Sequence, residues 1–344
     1  ILKALSNNAQ IFIMDEPTAG MSKIEIENFF KIVRDLKKRR KTVIYISHHL
    51  EEIFQIADRV TVLRDGENVG THSTKDIQIS ELVRMMIGRN LESEFPKRFG
   101  APGDKVLLEV KNFFSERMLA PISFSLRSGE ILGITGIIGS GKTELGKSLF
   151  GLSQNYSGDY FLYGKKVRID SPQKAVQLGV SFIPEDRKNE GLFLQLPIVD
   201  NLSMIIIDQA VKMLFTSNRK KISIANEIIR DLLIHPPNIH MMARNLSGGN
   251  QQKVVVGKWI KSQPKIIIMD EPTRGVDVGA KYEIYKLILR FADEGLGIIL
   301  LSSEFKEVAG LCDRIFILRK GEAVAEMKSS QKNLEQLYQL ALGG

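Results

Sequence analysis

The chain has 344 residues, enough for two or three domains, and its apolar fraction of 43% and charged fraction of 26% are ordinary for a globular protein. Its single cysteine, Cys312, excludes an intrachain disulfide, and no apolar run approaches the ~18 residues of a membrane-spanning helix. The net charge of +8 raises the question of a nucleic-acid or acidic-membrane partner. We expect no nucleic acid, because the densest basic run, at residues 37–41, ends a predicted helix and has no interleaved aromatic residues.

Strands and helices alternate along the first part of the chain. Residues 1–9 have the pattern of a helix end, and they are followed by predicted strands at 10–14, 42–47 and 59–64 and predicted helices at 24–38, 50–57 and 80–87. The strands are nearly all apolar, which indicates a parallel sheet buried on both faces. Two prolines and two glycines then break the periodicity, and we interpret residues 96–104 as a linker.

The second part begins with short predicted strands and contains a helical region. The strands are expected at 106–110, 122–126, 130–135 and 160–163, and a helix is expected at 143–150. Residues 195–245 have weaker strand signals and two helical stretches, at 199–210 and 222–233, which we interpret as an inserted helical subdomain. After this region the pattern of residues 1–95 returns.

An internal repeat explains this return. The sequence Met-Asp-Glu-Pro-Thr at residues 14–18 recurs at residues 269–273, an offset of 255 residues from 14 to 269, and the same offset pairs Ser47 with Ser302. A register held without a gap over about fifty residues indicates a domain duplication. We therefore predict that residues 1–95 are the C-terminal part of a first domain and that residues 105–344 are a complete second domain. The chain is expected to be truncated at its N-terminus.

A glycine-rich loop precedes the second copy of the repeat. Residues 136–143 fit the pattern G-x-x-x-x-G-K-[ST] between a predicted strand and a predicted helix. In such a loop, backbone N–H groups and the helix N-terminus surround phosphate oxygens. Lys142 is expected to reach the β- and γ-phosphates of ATP, and the Thr143 hydroxyl is expected to bind Mg²⁺. The residues of this loop that we expect to contact ATP are Gly136, Gly139, Ser140, Gly141, Lys142 and Thr143.

Two further motifs carry chemistry. Residues 266–271 read as an apolar strand that ends in Asp270 and Glu271; Asp270 is expected to hold Mg²⁺ and Glu271 to polarise the attacking water. Ser247, Gly248 and Gly249 precede a helix predicted at 251–260, which makes a second anion-binding helix start. The alternative for Ser247 is an ordinary N-cap.

The ordered series of these motifs, followed by Gly-Val-Asp at residues 275–277, resembles the ABC-transporter ATPase family. The sequences at 184–188, 250–253 and 272–280 resemble the tandem ATP-binding subunits of bacterial monosaccharide importers of the ribose, xylose, arabinose and galactoside type. The resemblance implies an α/β fold: a P-loop NTPase core, whose mostly parallel sheet is flanked by helices, with an antiparallel β subdomain and a helical subdomain. ATP and Mg²⁺ are the implied cofactors.

The resemblance also implies partners and a location. Two ATPase halves pair head to tail and drive a transmembrane permease, which receives sugar from a binding protein, at the cytoplasmic face of the bacterial inner membrane. A second ATPase half or a second chain is therefore an expected partner. The alternatives are a soluble ABC ATPase acting on ribosomes or DNA, and a non-catalytic nucleotide-binding remnant. The short linker and the single cysteine do not favour the ribosome and DNA-repair types.

The resemblance assigns three more site residues. His48 stands where the family has its switch histidine, and its counterpart at the 255-residue offset is Ser303. Glu16 is the counterpart of Glu271, so Glu16, Glu271 and His48 are the expected catalytic residues. Glu185 stands where most family members carry a glutamine that senses Mg²⁺, so we expect it to act as a metal ligand. Because neither composite site is complete in this chain, we expect it to bind nucleotide but to hydrolyse it poorly.

Overall fold

The computed structural model describes residues 9–18, 21, 23–47, 50–64, 67–78, 81–82, 85, 95–115, 118, 120–137, 139–153, 155–206, 218–328 and 334–342. The chain divides into two compact units, one formed by residues 1–94 with 277–279 and the other by residues 95–276 and 280–344.

The described part of the first unit contains two pairs of strands and two helices. In chain order these are β1 (Ile11–Asp15), α1 (Lys23–Lys38), β2 (Thr42–Ile46), α2 (Leu50–Ile56), β3 (Arg59–Arg64) and β4 (Glu67–Ser73). Strands β1 and β2 pair in parallel, whereas β3 and β4 form an antiparallel hairpin. Phe12 and Met14 of β1 pack on the apolar face of α1, where Phe29, Phe30 and Val33 recur at helical spacing.

The second unit contains the larger set of elements. In chain order they are β5 (Val106–Ser115), β6 (Ile122–Arg127), β7 (Ile131–Thr135), α3 (Lys142–Leu149), β8 (Tyr156–Leu162), β9 (Lys165–Val167), α4 (Pro172–Gln177), β10 (Val180–Ile183), α5 (Ile198–Ser203), α6 (Asn218–Asp231), α7 (Gly248–Ile260), β11 (Ile266–Asp270), α8 (Val278–Asp293), β12 (Gly297–Ser302), α9 (Phe305–Leu311), β13 (Arg314–Arg319), β14 (Glu322–Lys328) and α10 (Leu334–Leu342).

A six-stranded sheet forms the centre of the second unit, in the order β10-β11-β12-β7-β13-β14. Its strands are parallel except for β14, which pairs antiparallel with β13. Every residue of β7, β11 and β12 is buried, because the sheet is covered on both faces. Alternate residues of β11 divide between the two faces: Ile267 packs in the cluster that contains helices α7, α8 and α9, whereas Ile268 packs in the cluster that contains α3.

Two additions flank this core. A four-stranded antiparallel sheet, in the order β6-β5-β8-β9, packs in the same cluster as α3. Helices α5 and α6 lie between β10 and α7 in the chain and bury Leu202, Ile228 and Leu232 with the apolar side of α7. The predicted α/β fold, with an antiparallel β subdomain and a helical subdomain, is confirmed.

Several predicted boundaries differ from the observed ones. Strand β5 runs to Ser115, beyond the predicted end at 110, because a bulge at Asn112 (φ 50°) carries the strand through polar residues. The helix predicted at 199–210 ends at Ser203 and continues as a 3₁₀ turn, Met204–Ile206. The hairpin strands β4 and β14 are absent from the prediction because charged and polar residues interrupt their apolar positions. The predicted segments at 1–8 and 207–210, and most of 80–87, lie outside the described residues.

Candidate functional site

The glycine-rich loop connects the end of β7 to the start of α3. Gly141 caps α3 with φ 96°, a left-handed conformation that favours glycine. A Cβ at Gly136 would overlap the carbonyl oxygen of Leu318 and the side chain of Ser140, so only glycine fits there. Gly139 (φ 83°) has open space around its Cα instead. The loop therefore packs against Leu318 and Ser140 at Gly136 and has open space at Gly139. It ends at the N-terminus of α3, whose N–H groups are available to phosphate oxygens.

Lys142 extends from this loop to the neighbouring strand ends. Its Nζ donates to Ser303 Oγ at 2.6 Å and lies 3.2 Å from Glu271 Oε1. Ser303 in turn donates to the same Glu271 oxygen from its Oγ at 2.6 Å and from its backbone N at 2.8 Å. The parallel order of β11, β12 and β7 brings the three residues together, because the carboxyl ends of these strands share one edge of the sheet.

Asp270 and Thr143 form the adjacent part of the site. The Thr143 hydroxyl donates to Asp270 Oδ1 at 3.2 Å, and Asp270 is fully buried. Burial raises the pKa of Asp270 to about 7; the Glu271 charge adds to this rise, and the Thr143 hydrogen bond and the Lys142 charge oppose it. The second oxygen, Oδ2, is buried without a hydrogen-bond partner among the described residues. An unsatisfied carboxylate oxygen beside a hydroxyl is a donor set that suits Mg²⁺.

The Ser-Gly-Gly segment begins helix α7. Ser247 is the N-cap, and its Oγ accepts hydrogen bonds from the backbone N of Asn250 at 3.5 Å and from the Asn250 side chain at 3.0 Å. This contact is the capping role expected from the alternative interpretation of Ser247. A Cβ at Gly248 would lie 2.8 Å from a guanidinium nitrogen of Arg187 and 3.0 Å from the carbonyl oxygen of Gly275, so a side chain there would be crowded.

Glu185 lies just beyond β10, and its partner is a basic side chain. Its carboxylate forms an ion pair with Arg274, which follows the acidic end of β11 by four residues. Arg187 donates to the carbonyl oxygens of Arg274 at 2.6 Å and Gly275 at 2.8 Å. The turn at 274–275 is thus held from two sides. The assignment of Glu185 as a metal ligand stays a prediction.

The first unit repeats the backbone of the acidic turn. Glu16 has φ 44° and its N donates to Ile46 O at 2.9 Å; Glu271 has φ 45° and its N donates to Leu301 O at 2.8 Å. Both glutamates therefore leave their strands in the same left-handed turn. His48, the expected switch residue, lies outside the described residues.

Two contacts of the site were not predicted from the sequence. The first is the bond between Ser303 and Glu271, for which the only signal was the difference between positions 48 and 303 in the repeat. The second is a hydrogen bond from Thr273 Oγ1 to Glu307 Oε1, at 2.7 Å, beneath the acidic turn.

Among the described residues no group of three or more His, Cys, Asp or Glu side chains is arranged to hold a metal ion by itself. In the same residues no helix combines the length and the apolar character needed to cross a membrane.

Comparisons with known proteins agree on one family. The ABC transporter family model matches residues 119–274. The putative ribose/galactose/methyl galactoside import ATP-binding protein 3 of Burkholderia cenocepacia (strain HI2424) is 42% identical over 344 residues, which are all of this chain and 67% of that protein. The ribose import ATP-binding protein of Bacillus licheniformis is 44% identical over the whole chain and 70% of its own length. The chain belongs to the ABC transporter ATP-binding family.

A comparison with solved structures agrees with the described fold. A solved nucleotide-free ATP-binding cassette from an ABC transporter superposes with a TM-score of 0.57 at 20% identity, covering 70% of this chain and 96% of that structure. The predicted resemblance to this family is confirmed, and with it nucleotide binding as the property of this ABC protein. The roles of the individual residues stay predictions.

Proposed function

We propose that this ABC protein is an ATP-binding and ATP-hydrolysing subunit that energises sugar import through an ABC transporter. The observation that carries this proposal is the arrangement of Lys142, Glu271 and Ser303 beside Thr143 and Asp270 at one edge of the sheet. The relatives at 42% and 44% identity are named as sugar import ATP-binding proteins, which supports the sugar class of the cargo. The alternatives of a ribosome or DNA partner and of a non-catalytic remnant have no comparable support.

Each residue has a chemical task in this proposal. Lys142 binds the β- and γ-phosphates, which displace its ammonium from Glu271 and Ser303. Thr143 and Asp270 hold Mg²⁺, which when bound neutralises charge on the phosphates. Glu271, released from Lys142, orients and polarises the attacking water as a general base. Gly136, Gly139, Ser140 and Gly141 shape the loop, and Ser247, Gly248 and Gly249 present a helix start to a nucleotide bound by another ATPase half.

We also propose that residues 1–94 are part of the first domain of the repeat and that this domain has the same fold as the second unit. Strand pairing in the first unit repeats that of the second at an offset of 255 residues: Ile11 pairs with Thr42 as Ile266 pairs with Gly297. The hairpin β3–β4 repeats β13–β14 in the same way, including the register shift after Val62, which corresponds to Ile317. Two sheets with matching registers and a matching irregularity support a common ancestor fold.

The first unit has a gap where the second unit has β7. In the second unit β7 lies between β12 and β13, whereas in the first unit β2 and β3 are not paired with each other among the described residues. A cavity separates them, and consecutive residues of both strands line it, from 42 to 47 and from 58 to 63. Consecutive rather than alternate lining residues mean that the strand edges, not their faces, point into the cavity. The gap therefore lies between two strand edges, at the place that β7 has in the second unit.

This organisation limits what residues 1–344 can do alone. In the second unit the strand at this place, β7, leads into the phosphate loop that carries Lys142. We therefore propose that the chain by itself binds ATP at Lys142 and Thr143 and hydrolyses it poorly. Its partners would be transmembrane permease subunits, a sugar-binding protein acting through the permease, and a second ATPase half or chain, at the cytoplasmic face of the inner membrane.

Nucleotide titration of the purified chain tests the central assignment. Lys142→Ala is expected to weaken MgATP affinity by about tenfold or more, because it removes a charged contact to phosphate. Lys147→Ala is the matched control, since Lys147 lies on the same helix and pairs with Glu190. Equal affinities in all three proteins would refute the phosphate-loop assignment.

Steady-state hydrolysis tests the rest of the proposal. We expect slow turnover that rises when permease subunits and a sugar-loaded binding protein are present in proteoliposomes. Stimulation by ribosomes or DNA in place of the permease would overturn the transport function.

A further inference from the structure

A buried carboxyl group joins the two loops that meet at Glu271. Glu307, in the first turn of α9, accepts a hydrogen bond from Thr273 Oγ1 at 2.7 Å, and both residues are buried. The Ser302 hydroxyl accepts a hydrogen bond from the backbone N of Glu304 at 3.1 Å, in the segment that leads from β12 into α9. Thr273 belongs to the turn after β11, and Ser302 is the last residue of β12. The bond from Thr273 to Glu307 therefore connects the turn after β11 with the segment that follows β12.

The first unit contains the same hydrogen bond. Thr18 Oγ1 donates to Glu52 Oε2 at 2.9 Å, and 34 residues separate the partners in both units. Tyr45 adds a second donor to Glu52 at 2.6 Å. Burying an ionisable side chain costs several kcal/mol unless it is well paired, so an apolar residue would be the simpler choice for packing alone. Its presence in both copies of the repeat points to a task that an apolar residue does not perform.

The geometry around Glu271 suggests this task. The turn after β11 is tight: Arg274 N donates to Glu271 O at 3.0 Å, and Val276 N donates to Thr273 O at 3.2 Å. The side chain of Glu271 is fixed by the other loop, through the backbone N and Oγ of Ser303. The position of its carboxylate therefore depends on the spacing between the two loops, which Glu307 connects.

We propose that Glu307 is a positioning residue for Glu271, and that Glu52 has the same role for Glu16. The role rests on the proposed function, in which Glu271 orients the attacking water. Glu307 acts by holding Thr273 at a fixed distance from the start of α9, so that the Ser303 backbone N, just before α9, remains directed at the Glu271 carboxylate. The Thr273 hydroxyl donates to Glu307 Oε1, Oε2 has no hydrogen-bond partner among the described residues, and the charges of Glu304 and Lys281 act at longer range.

Amide hydrogen exchange tests this role without any need for catalysis. Exchange at the Ser303 amide reports directly on its bond to Glu271. Thr273→Val removes the hydroxyl with little change of shape, and we expect exchange at Ser303 about tenfold faster, as the loss of one buried hydrogen bond allows. Thr273→Ser restores a hydroxyl and is expected to return exchange close to the original rate. Thr18→Val is the matched control, since it breaks the equivalent bond in the first unit and should leave Ser303 unchanged.

The outcomes separate positioning from general stability. A local increase at Ser303, with unchanged exchange in the middle of β7 and β12, supports the proposal. Unchanged exchange at Ser303 in Thr273→Val, or a uniform increase through the whole second unit, would overturn it. Glu307→Gln keeps an acceptor for Thr273 and is expected to stay near the original rate, whereas Glu307→Leu should behave as Thr273→Val does. ATP affinity measured on the same samples shows separately whether the phosphate-loop assignment holds.

Discussion

Ser303 donates two hydrogen bonds to one oxygen of Glu271, from its backbone N at 2.8 Å and from its hydroxyl at 2.6 Å. The residue at the equivalent position of the first copy is His48, a longer side chain that can carry a charge. The short Ser303 side chain binds Glu271 directly, whereas a histidine at this position would be long enough to extend towards a bound nucleotide. Glu271 also pairs with Lys142 at 3.2 Å, so phosphate has to compete with Glu271 for the Lys142 ammonium.

Ser303→Ala tests whether the serine holds Glu271 or the nucleotide. The variant loses both hydrogen bonds of Oγ, to Glu271 and from Lys142, but keeps the backbone bond to Glu271, so we expect the free energy of unfolding to fall by about 1–2 kcal/mol. ATP affinity is expected to stay within about threefold of the original, because in our proposal Ser303 contacts the protein rather than phosphate. Urea denaturation and nucleotide titration measure the two quantities. A loss of affinity as large as that of Lys142→Ala would show that Ser303 binds the nucleotide itself.

Asp270→Asn tests the proposal that Asp270 is a Mg²⁺ ligand. The amide keeps the size of the side chain but removes the negative charge that attracts Mg²⁺, and its NH₂ group is no ligand for a cation. We expect the difference in ATP affinity between Mg²⁺ and EDTA solutions to shrink to about twofold or less, while ATP binding in EDTA is retained. Asp159→Asn, at a half-exposed position paired with Lys166, is the control. A full Mg²⁺ effect in Asp270→Asn would remove Asp270 from the metal site.

The phosphate loop and the acidic strand were predictable because their chemistry is local in sequence. Lys142 and Thr143 are adjacent, and Asp270 ends an apolar strand, so each motif can be recognised without knowledge of the fold. Glu307 shows the opposite situation. It reads as an ordinary polar residue in a short helix, and only the fold reveals that it is buried against Thr273, 34 residues away.

The hairpin strands were missed for a related reason. Strand β14 follows β13 through a turn at Lys320 (φ 50°) and Gly321 (φ 79°), and it carries charged residues because it is the edge of the sheet. Edge strands are often polar, so they lack the apolar run that identifies the central strands. Because β4 and β14 occupy the same place in the two copies of the repeat, recognising one strand would have identified the other. Neither sequence, however, indicates a strand by itself.

The pH dependence of stability tests the burial of Glu307. Burial raises its pKa to about 7, well above the usual range for glutamate. Between about pH 4 and pH 7 the folded protein therefore holds a proton that the unfolded chain has lost, and the free energy of unfolding falls as the pH rises through this window. Above pH 7 Glu307 is ionised in both the folded and the unfolded protein, so it no longer changes the free energy of unfolding with pH.

Glu307→Gln is expected to reduce the steepness of this fall. The largest possible change is one proton, or about 1.4 kcal/mol per pH unit. Denaturant unfolding of both proteins at several pH values from 5 to 8 measures the difference. Glu304→Gln serves as the comparison, because Glu304 is partly exposed and pairs with Lys281 on the surface. Parallel curves for the original protein and Glu307→Gln would mean that Glu307 is ionised throughout this range.

The matched positions Ile44 and Ile299 test the gap in the first unit. Ile44 in β2 is 48% exposed, whereas Ile299 at the same place in β12 is fully buried in the cluster that contains α3. Ile299→Thr is expected to destabilise the second unit by about 2–4 kcal/mol, because it removes buried methyl contacts and buries a hydroxyl. Ile44→Thr should change the stability of the first unit by less than about 0.5 kcal/mol in the 344-residue chain. If the gap takes a strand and a helix from polypeptide outside residues 1–344, Ile44→Thr in a chain that includes them should become as destabilising as Ile299→Thr. A small effect of Ile44→Thr in both chains would show that this face of β2 stays exposed, and would contradict the proposal that the first unit completes the same fold.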